Sequence, residues 1–125
     1  MFISFSWTTE PFLADVKTVT RRYWKEIHAK KFYNGMFVDA YDKAPYIGGK
    51  KIGRIMLTKT PYQQYTSLMT EEDYTKEGLR WMEQHNKKIK GQNPRQFFDD
   101  WKKADDLVWV VEFRKVDGSR LDDWI

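Results

Sequence analysis

The stretch LVWVVEF, residues 107–113, constrains the fold more than any other, because it is apolar on both faces over much of its length. A strand at the edge of a sheet, or with one face in water, alternates apolar with polar residues. This stretch is instead typical of a strand in the centre of a sheet. The fold class then depends on which other segments can pair with it and cover it.

Four further short strands are indicated by composition and by alternation of apolar with polar residues: MFISFSW at 1–7, TVTRR at 18–22, MFVDAY at 36–41 and IGRIMLT at 52–58. Gly48-Gly49 predicts a hairpin turn before the last of these strands, and Pro61 is expected to end it.

Helical segments are predicted between these strands at 8–17, 23–33, 69–78, 79–87 and 93–103. Thr70 and Asn93 precede two of them as N-caps, and Gly78 is expected to end or kink the helix before it. The apolar sides of the first two are predicted to carry Phe12, Leu13 and Val16, and Trp24, Ile27, His28 and Phe32. Short strands with helices between them favour an α+β fold, with a small barrel or strongly curved sheet as its core.

Length and composition indicate one domain over residues 1–125, with no linker dividing the chain. The absence of cysteine excludes disulfides and cysteine-bound zinc, and it fits a cytoplasmic protein best. No secretory signal is expected, and no apolar run approaches the roughly 20 residues of a membrane helix. The two histidines lack a metal-binding spacing, so neither a metal nor a cofactor is expected.

The segment DVKTVTRR is the best candidate for the wall of a site. Because side chains alternate along a strand, Thr18, Thr20 and Arg22 are predicted to share one face. Lys17 can join them only if it lies in the turn where the preceding helix ends, and the helical pattern does stop near there. A lysine, a hydroxyl and an arginine would then line one pocket.

The opposite face of this strand carries Val19, which is predicted to face the core, and Arg21. A plainer interpretation is a solvated basic strand, in which the threonines are present only because they favour extended structure. On the residues alone, this plainer interpretation is the better supported of the two.

Chemistry at such a site needs an activated lysine and a carboxylate. Burial or a neighbouring cation lowers the pKa of a lysine and allows it to act as a base. A threonine hydroxyl becomes a nucleophile only when a base stands beside it. Glu71, Glu72, Asp73 and Glu77, on the helix predicted at 69–78, are the candidate carboxylates.

Four stretches together resemble the ASCH domain family of the PUA-like superfamily: FLADVKTVTRRYW at 12–24, GMFVDAYDKAPYIGGKKIGRIMLT at 35–58, MTEEDYTKEG at 69–78 and VWVVEF at 108–113. The most specific part is the K-T-x-T-x-R pattern that begins at Lys17. The resemblance implies a small PUA-like β-barrel with helices packed around it, and a cleft beside the barrel for RNA or a nucleobase. Residues at about 79–103 would be an insertion in this domain.

Some ASCH proteins are amidohydrolases that remove the acetyl group of N4-acetylcytidine. The resemblance to them implies a catalytic lysine at Lys17, a threonine at Thr20 and a glutamate at Glu77, with an arginine on the same strand at Arg22. The sequence departs from these enzymes at Arg21, where they have an apolar residue, and in the added segment at 79–103.

Three functions follow as hypotheses. The first is a module that binds RNA or a modified nucleoside in the cleft. The base would be hydrogen-bonded by Lys17, Thr20, Arg22 and Glu77, with Thr18 as a further ligand contact. Trp24 or Tyr46 would stack on the base, and Lys50 and Lys51 would contact phosphate. The second is an amidohydrolase with Lys17 as base, Thr20 as nucleophile and Glu77 as proton donor. The third is a structural or regulatory domain that uses exposed aromatic residues to bind another protein. A monomer is favoured, and no membrane partner is expected.

Overall fold

A computed structural model describes residues 1–116, which form one six-stranded sheet with helices packed on it. The strands are β1 (Phe2–Ser4), β2 (Val19–Arg22), β3 (Phe37–Tyr41), β4 (Lys51–Leu57), β5 (Tyr62–Tyr65) and β6 (Leu107–Val116). The prediction of a central strand near residues 107–113 is confirmed, because β6 pairs with three other strands. Its buried valines explain why this stretch is apolar on both faces.

The strand order is β1-β3-β4-β6-β2, with β5 paired to β6 in addition. The first half of β6 pairs antiparallel with β2 and β5, and its second half pairs with β4. Trp109 and Val110 are hydrogen-bonded partners of both β2 and β5, which therefore lie on opposite sides of β6. The parallel pairing of β1 with β3 completes the sheet.

Within residues 1–116 the sheet is not closed, because β1 and β2 stand at the two ends of the strand order. The predicted α+β class is confirmed, whereas the PUA-like barrel that the resemblance implies is not. Two edge strands that face each other without pairing leave space between them for a cleft. The candidate site described below lies at these edges.

In the described part of the chain, five α-helices accompany the sheet: α1 (Thr9–Leu13), α2 (Glu26–Ala29), α3 (Glu71–Lys76), α4 (Leu79–Gln84) and α5 (Pro94–Ala104). Thr70 and Asp73 form a capping box at the start of α3, in which each side chain accepts from the other residue's backbone N–H. Asn93 caps α5 by accepting from the backbone N–H of Gln96. Both predicted N-caps are confirmed.

Residues 1–116 form two apolar cores. The first lies on the sheet and is built from Ile3, Phe5, Phe12, Phe32, Val38, Ala40, Ile55, Leu57, Val111 and Phe113. The second lies among α3, α4 and α5 and contains Met69, Tyr74, Leu79, Met82, Ile89 and Phe98. Most of the second core comes from residues 79–103, so this segment builds a helical layer of its own against α3.

Several predictions about local structure were wrong. Strand β5 was not predicted, because its residues YQQY are polar and its partner, β6, is distant in sequence. The helix expected over residues 23–33 is only the single turn α2, and Ile27 in it is 78% exposed. Leu13 and Val16 are exposed rather than packed.

The turn between β3 and β4 is longer than the predicted two-residue hairpin. It includes a short 3₁₀ turn at Pro45–Ile47, after which Gly48 takes a left-handed conformation. The Asp-Gly pair at 117–118, which the sequence indicates as a turn, lies outside the described residues. No helix within residues 1–116 is long and apolar enough to cross a membrane.

Gly78 is the joint on which the positions of α3 and α4 depend. Its φ is +92°, and a Cβ at this position would lie 2.6 Å from the Cβ of Pro11. Only glycine combines this conformation with such a close approach. The joint holds the end of α3, and with it Glu77, against the turn that carries Lys17.

We expect Gly78→Ala to lower the free energy of unfolding well beyond the cost of its backbone conformation. Gly35→Ala is the matched control, since Gly35 has a φ of +89° and nothing within 4 Å of its Cβ position. Left-handed strain costs roughly 1–2 kcal/mol in both variants, and overpacking adds about 1–3 kcal/mol at Gly78 alone. Urea denaturation measures the difference, and equal losses in the two variants would contradict the close packing at Gly78.

Candidate functional site

A cleft of about 580 Å³ opens between the edge strands β1 and β2 and the helical layer. Strand β1 contributes Ser4, and the turn that follows it contributes Phe5, Ser6, Trp7 and Thr8. The opposite wall comes from α5 and from the loop before it. The floor is formed by Lys17, Thr20, Arg21, Arg22 and Glu77. A cleft of this size is in the range of small-molecule sites, about 300–1,000 Å³.

Lys17 and Glu77 form a buried ion pair at the floor of the cleft, and each residue is only 4% exposed. The Lys17 Nζ donates to Glu77 Oε2 at 3.0 Å and to the Glu77 backbone carbonyl at 2.8 Å. Burial lowers the pKa of Lys17 below its ordinary value, although the Glu77 carboxylate acts in the opposite direction. The predicted position of Lys17, in the turn between α1 and β2, is confirmed.

Arg21 shares the same carboxylate from the other side. Its Nη1 donates to Glu77 Oε1 at 3.2 Å, and its Nη2 contacts Asp73 Oδ1 at 2.9 Å and Gln64 Oε1 at 3.0 Å. Partial burial by itself raises the pKa of Asp73, but hydrogen bonds from the Thr70 backbone and from Arg21 outweigh it and hold that pKa below its ordinary value. Two cations and two carboxylates are thus joined in one network.

Thr20 and Arg22 lie on the face of β2 opposite to Arg21, as the alternation of side chains predicts. The Arg22 Nε donates to Thr20 Oγ1 at 3.1 Å. Burial lowers the pKa of Arg22 to about 10, and the attraction of Glu77 offsets only part of this. Arg22 therefore stays protonated at neutral pH.

Aromatic side chains form the walls above this polar floor. Trp7 is 53% exposed and stands on the turn after β1, while Phe97 and Trp101 face the cleft from α5. The Trp101 Nε1 donates to the Tyr23 hydroxyl at 2.7 Å, and that hydroxyl donates to Asp106 Oδ2 at 2.7 Å. Partial burial and the hydrogen bond to Asp106 raise the pKa of Tyr23 to about 12.

Four of the residues singled out from the sequence meet in this cleft: Lys17, Thr20, Arg22 and Glu77. Lys17 and Glu77 are in direct contact, whereas the Thr20 hydroxyl accepts from Arg22 and forms no hydrogen bond with Lys17 or Glu77 within residues 1–116. Val19 is buried, as predicted. The plainer interpretation of a fully solvated basic strand is wrong, because Lys17, Thr20 and Arg21 are all buried.

Five other predicted contact residues lie outside the lining of the cleft. Thr18 is exposed and borders a separate hollow beside Asp73 and Lys76. Trp24 is stacked on Phe32 with ring centroids 4.5 Å apart.

The other three lie around the loop between β3 and β4. Tyr46 is 84% exposed on this loop. Lys50 and Lys51 are exposed next to it, and the Lys51 Nζ pairs with Asp39 at 3.1 Å. None of these three side chains lines the cleft.

The sequence interpretation missed the roles of Arg21, Asp73, Trp7 and Trp101. For Arg21 the sequence did contain a signal. It lies two residues after Val19 on the predicted strand, so its side chain is expected on the same face, towards the protein interior. A charged residue at such a position requires a buried partner of opposite sign. The aromatic walls carried no local signal, because α5 and the turn after β1 line one cleft only in the folded chain.

Residues 79–103 both extend the core and border the cleft. Phe98 is buried in the helical core, while Ile89, Lys90, Gln92, Phe97, Asp100 and Trp101 line the cleft. The predicted insertion therefore contributes one wall of the site.

No protein-family model, curated protein or solved structure matches this chain.

We expect Glu77→Gln to lower the free energy of unfolding by about 3–5 kcal/mol, because it leaves two buried cations without their shared carboxylate. The double variant Lys17→Met with Glu77→Gln is expected to lose less than the sum of the two single variants, since one of those cations is then gone. Urea denaturation of the four proteins measures this coupling. Strict additivity would contradict a shared buried network.

The pH dependence of the Glu77→Gln variant provides a second readout. A lysine whose folded-state pKa lies below its unfolded value of 10.5 binds more protons in the unfolded chain. Stability therefore rises with pH as the pH approaches the unfolded pKa. The Glu77 carboxylate raises the pKa of Lys17, so its removal lowers that pKa further and widens the pH range over which stability rises. Between pH 7 and 10 the stability of the variant is expected to rise more steeply than that of the native protein.

Proposed function

We propose that this protein binds a nucleobase-containing ligand, a modified nucleoside or an RNA base, in the cleft between β1, β2 and α5. The observation that carries the proposal is a buried polar floor, formed by Lys17, Arg21 and Glu77, beneath aromatic walls. A base needs hydrogen-bonding groups at its edge and apolar surfaces on its faces. The cleft offers both within one small-molecule volume.

The distribution of lysines favours a small ligand over a long RNA footprint. Lys50 and Lys51 lie outside the cleft lining, and the net charge is only +4. Extended RNA binding depends on many phosphate contacts along a basic surface. Lys90 is the one exposed lysine of the cleft lining among the described residues.

The proposal includes membership of the ASCH family and a PUA-like arrangement of the sheet. What supports it is the meeting of Lys17, Thr20, Arg22 and Glu77 at one cleft, at the positions that the resemblance implies. The open edge between β1 and β2 is compatible with a barrel that has a cleft at its side.

Binding is tested by isothermal titration with the four ribonucleosides and N4-acetylcytidine. At least one is expected to bind saturably, and Trp101→Leu is expected to weaken it about tenfold or more, since stacking contributes about 1–3 kcal/mol per base. Trp81→Leu is the matched control, because Trp81 packs on the same helical core as Trp101 but stacks on His85 and lies outside the cleft lining. No binding at millimolar concentration, or equal effects of the two substitutions, would count against the proposal.

A second candidate, an amidohydrolase, is favoured by the contact between Lys17 and Glu77 in the same cleft as Thr20. Deprotonated Lys17 would take the Thr20 hydroxyl proton as the oxygen attacks the amide carbonyl carbon. The carbon–nitrogen bond would break, and the amine would leave with a proton delivered through Glu77. Water would then hydrolyse the threonine ester to release the acid and restore Thr20.

Incubation with N4-acetylcytidine, followed by chromatography for cytidine and acetate, tests this candidate. Thr20→Val is expected to reduce turnover by at least about 100-fold, because it removes the nucleophile and keeps the shape of the side chain. Thr58→Val, at an exposed position after β4, is the control. Turnover that survives Thr20→Val or Lys17→Met would exclude this mechanism.

A further inference from the structure

The charges that line the cleft are not balanced. Four cations, Lys17, Arg21, Arg22 and Lys90, face two carboxylates, Glu77 and Asp100. Lys90 is exposed and can be solvated. The other three cations lie at the floor, where solvent is restricted.

Two of the floor cations have carboxylate partners. Lys17 is 3.0 Å from Glu77, and Arg21 contacts Glu77 at 3.2 Å and Asp73 at 2.9 Å. The remaining carboxylate, Asp100, accepts from the side chains of Gln92 and Gln96 at 3.2 and 2.8 Å. The acidic groups of this region are therefore already engaged.

Arg22 is the exception. Within residues 1–116 no carboxylate oxygen lies within 4.0 Å of its guanidinium nitrogens, and its one side-chain hydrogen bond there goes to Thr20. The guanidinium also lies over the Phe5 ring, 5.7 Å from the centroid. Its Nη groups remain available to a ligand, because the Thr20 hydroxyl accepts only from Nε.

The position of Arg22 marks a junction between two hollows. With Ser4, it lines the main cleft and also a smaller hollow of about 190 Å³ that is bordered by Trp24 and His28. A group held there would contact the guanidinium on one side and the β1 hydroxyl on the other.

A partly buried cation without a counter-ion is costly, and a bound anion removes that cost. The planar fork of arginine matches the oxygens of a phosphate group in a bidentate contact. We propose that Arg22, with Ser4, binds a phosphate group of the ligand, so that the cleft takes a nucleotide in preference to the neutral nucleoside. The nucleotide identity rests on the proposed function, whereas the anion site does not.

Isothermal titration with each ribonucleoside and its 5′-monophosphate tests this inference. The monophosphate is expected to bind about tenfold or more tightly, in line with hydrogen bonds to charged groups. Arg22→Gln is expected to remove the preference for the monophosphate, so that the ratio of the two affinities falls to about one whatever the variant does to nucleoside binding itself. Arg114→Gln, at an exposed arginine on β6, is the matched control and is expected to change neither affinity.

Thermal unfolding with and without inorganic phosphate gives an independent readout. Phosphate is expected to raise the Tm of the native protein and of Arg114→Gln, and to leave Arg22→Gln unshifted. Arg22→Lys keeps the charge without the fork and is expected to show a reduced shift. If Arg22→Gln fails to fold, the reduced shift of Arg22→Lys serves as the test in its place.

The outcomes separate this inference from the proposed function. Equal affinities for nucleoside and monophosphate would overturn the phosphate site and leave nucleoside binding intact. A phosphate shift that depends on Arg22, without binding of any nucleoside or nucleotide, would support the anion site and overturn the proposed function. Absence of all binding would overturn both.

Discussion

The carboxylate of Glu77 holds together parts of the chain that are far apart in sequence. It accepts from Lys17, in the turn before β2, and from Arg21, on β2 itself, while its own position is set by the end of α3. Because these groups are buried, each depends on the others for its charge to be tolerated. This network forms part of the floor of the cleft. The close approach of Gly78 to Pro11 holds the end of α3, and with it Glu77, in position.

A buried network of charges is not the arrangement that stabilises a protein interior most. Apolar side chains of similar volume often stabilise a core as well as, or better than, a buried ion pair. Stability alone therefore does not account for the polar floor. Arg22 extends this reasoning, since it adds a positive charge that the described residues do not neutralise.

The cleft exists because the two cores meet at an open edge. The sheet core ends at β1 and β2, and the helical core built from residues 79–103 stands opposite with Phe97 and Trp101. Neither core contains the site by itself. Aromatic residues are unusually numerous in this chain, and their placement at this seam explains why some of them are not fully buried.

Local patterns in the sequence determined the α+β class, the central strand, the caps at Thr70 and Asn93, and the position of Lys17 at a turn. These features depend on neighbours within a few residues, so alternation, helix caps and turn residues reveal them. Strand β5, the contact of Arg21 with Glu77 and the aromatic wall of α5 were decided only by the tertiary structure. Each joins segments that are distant along the chain, and a polar strand or a buried charge is stabilised by a partner that no local pattern identifies.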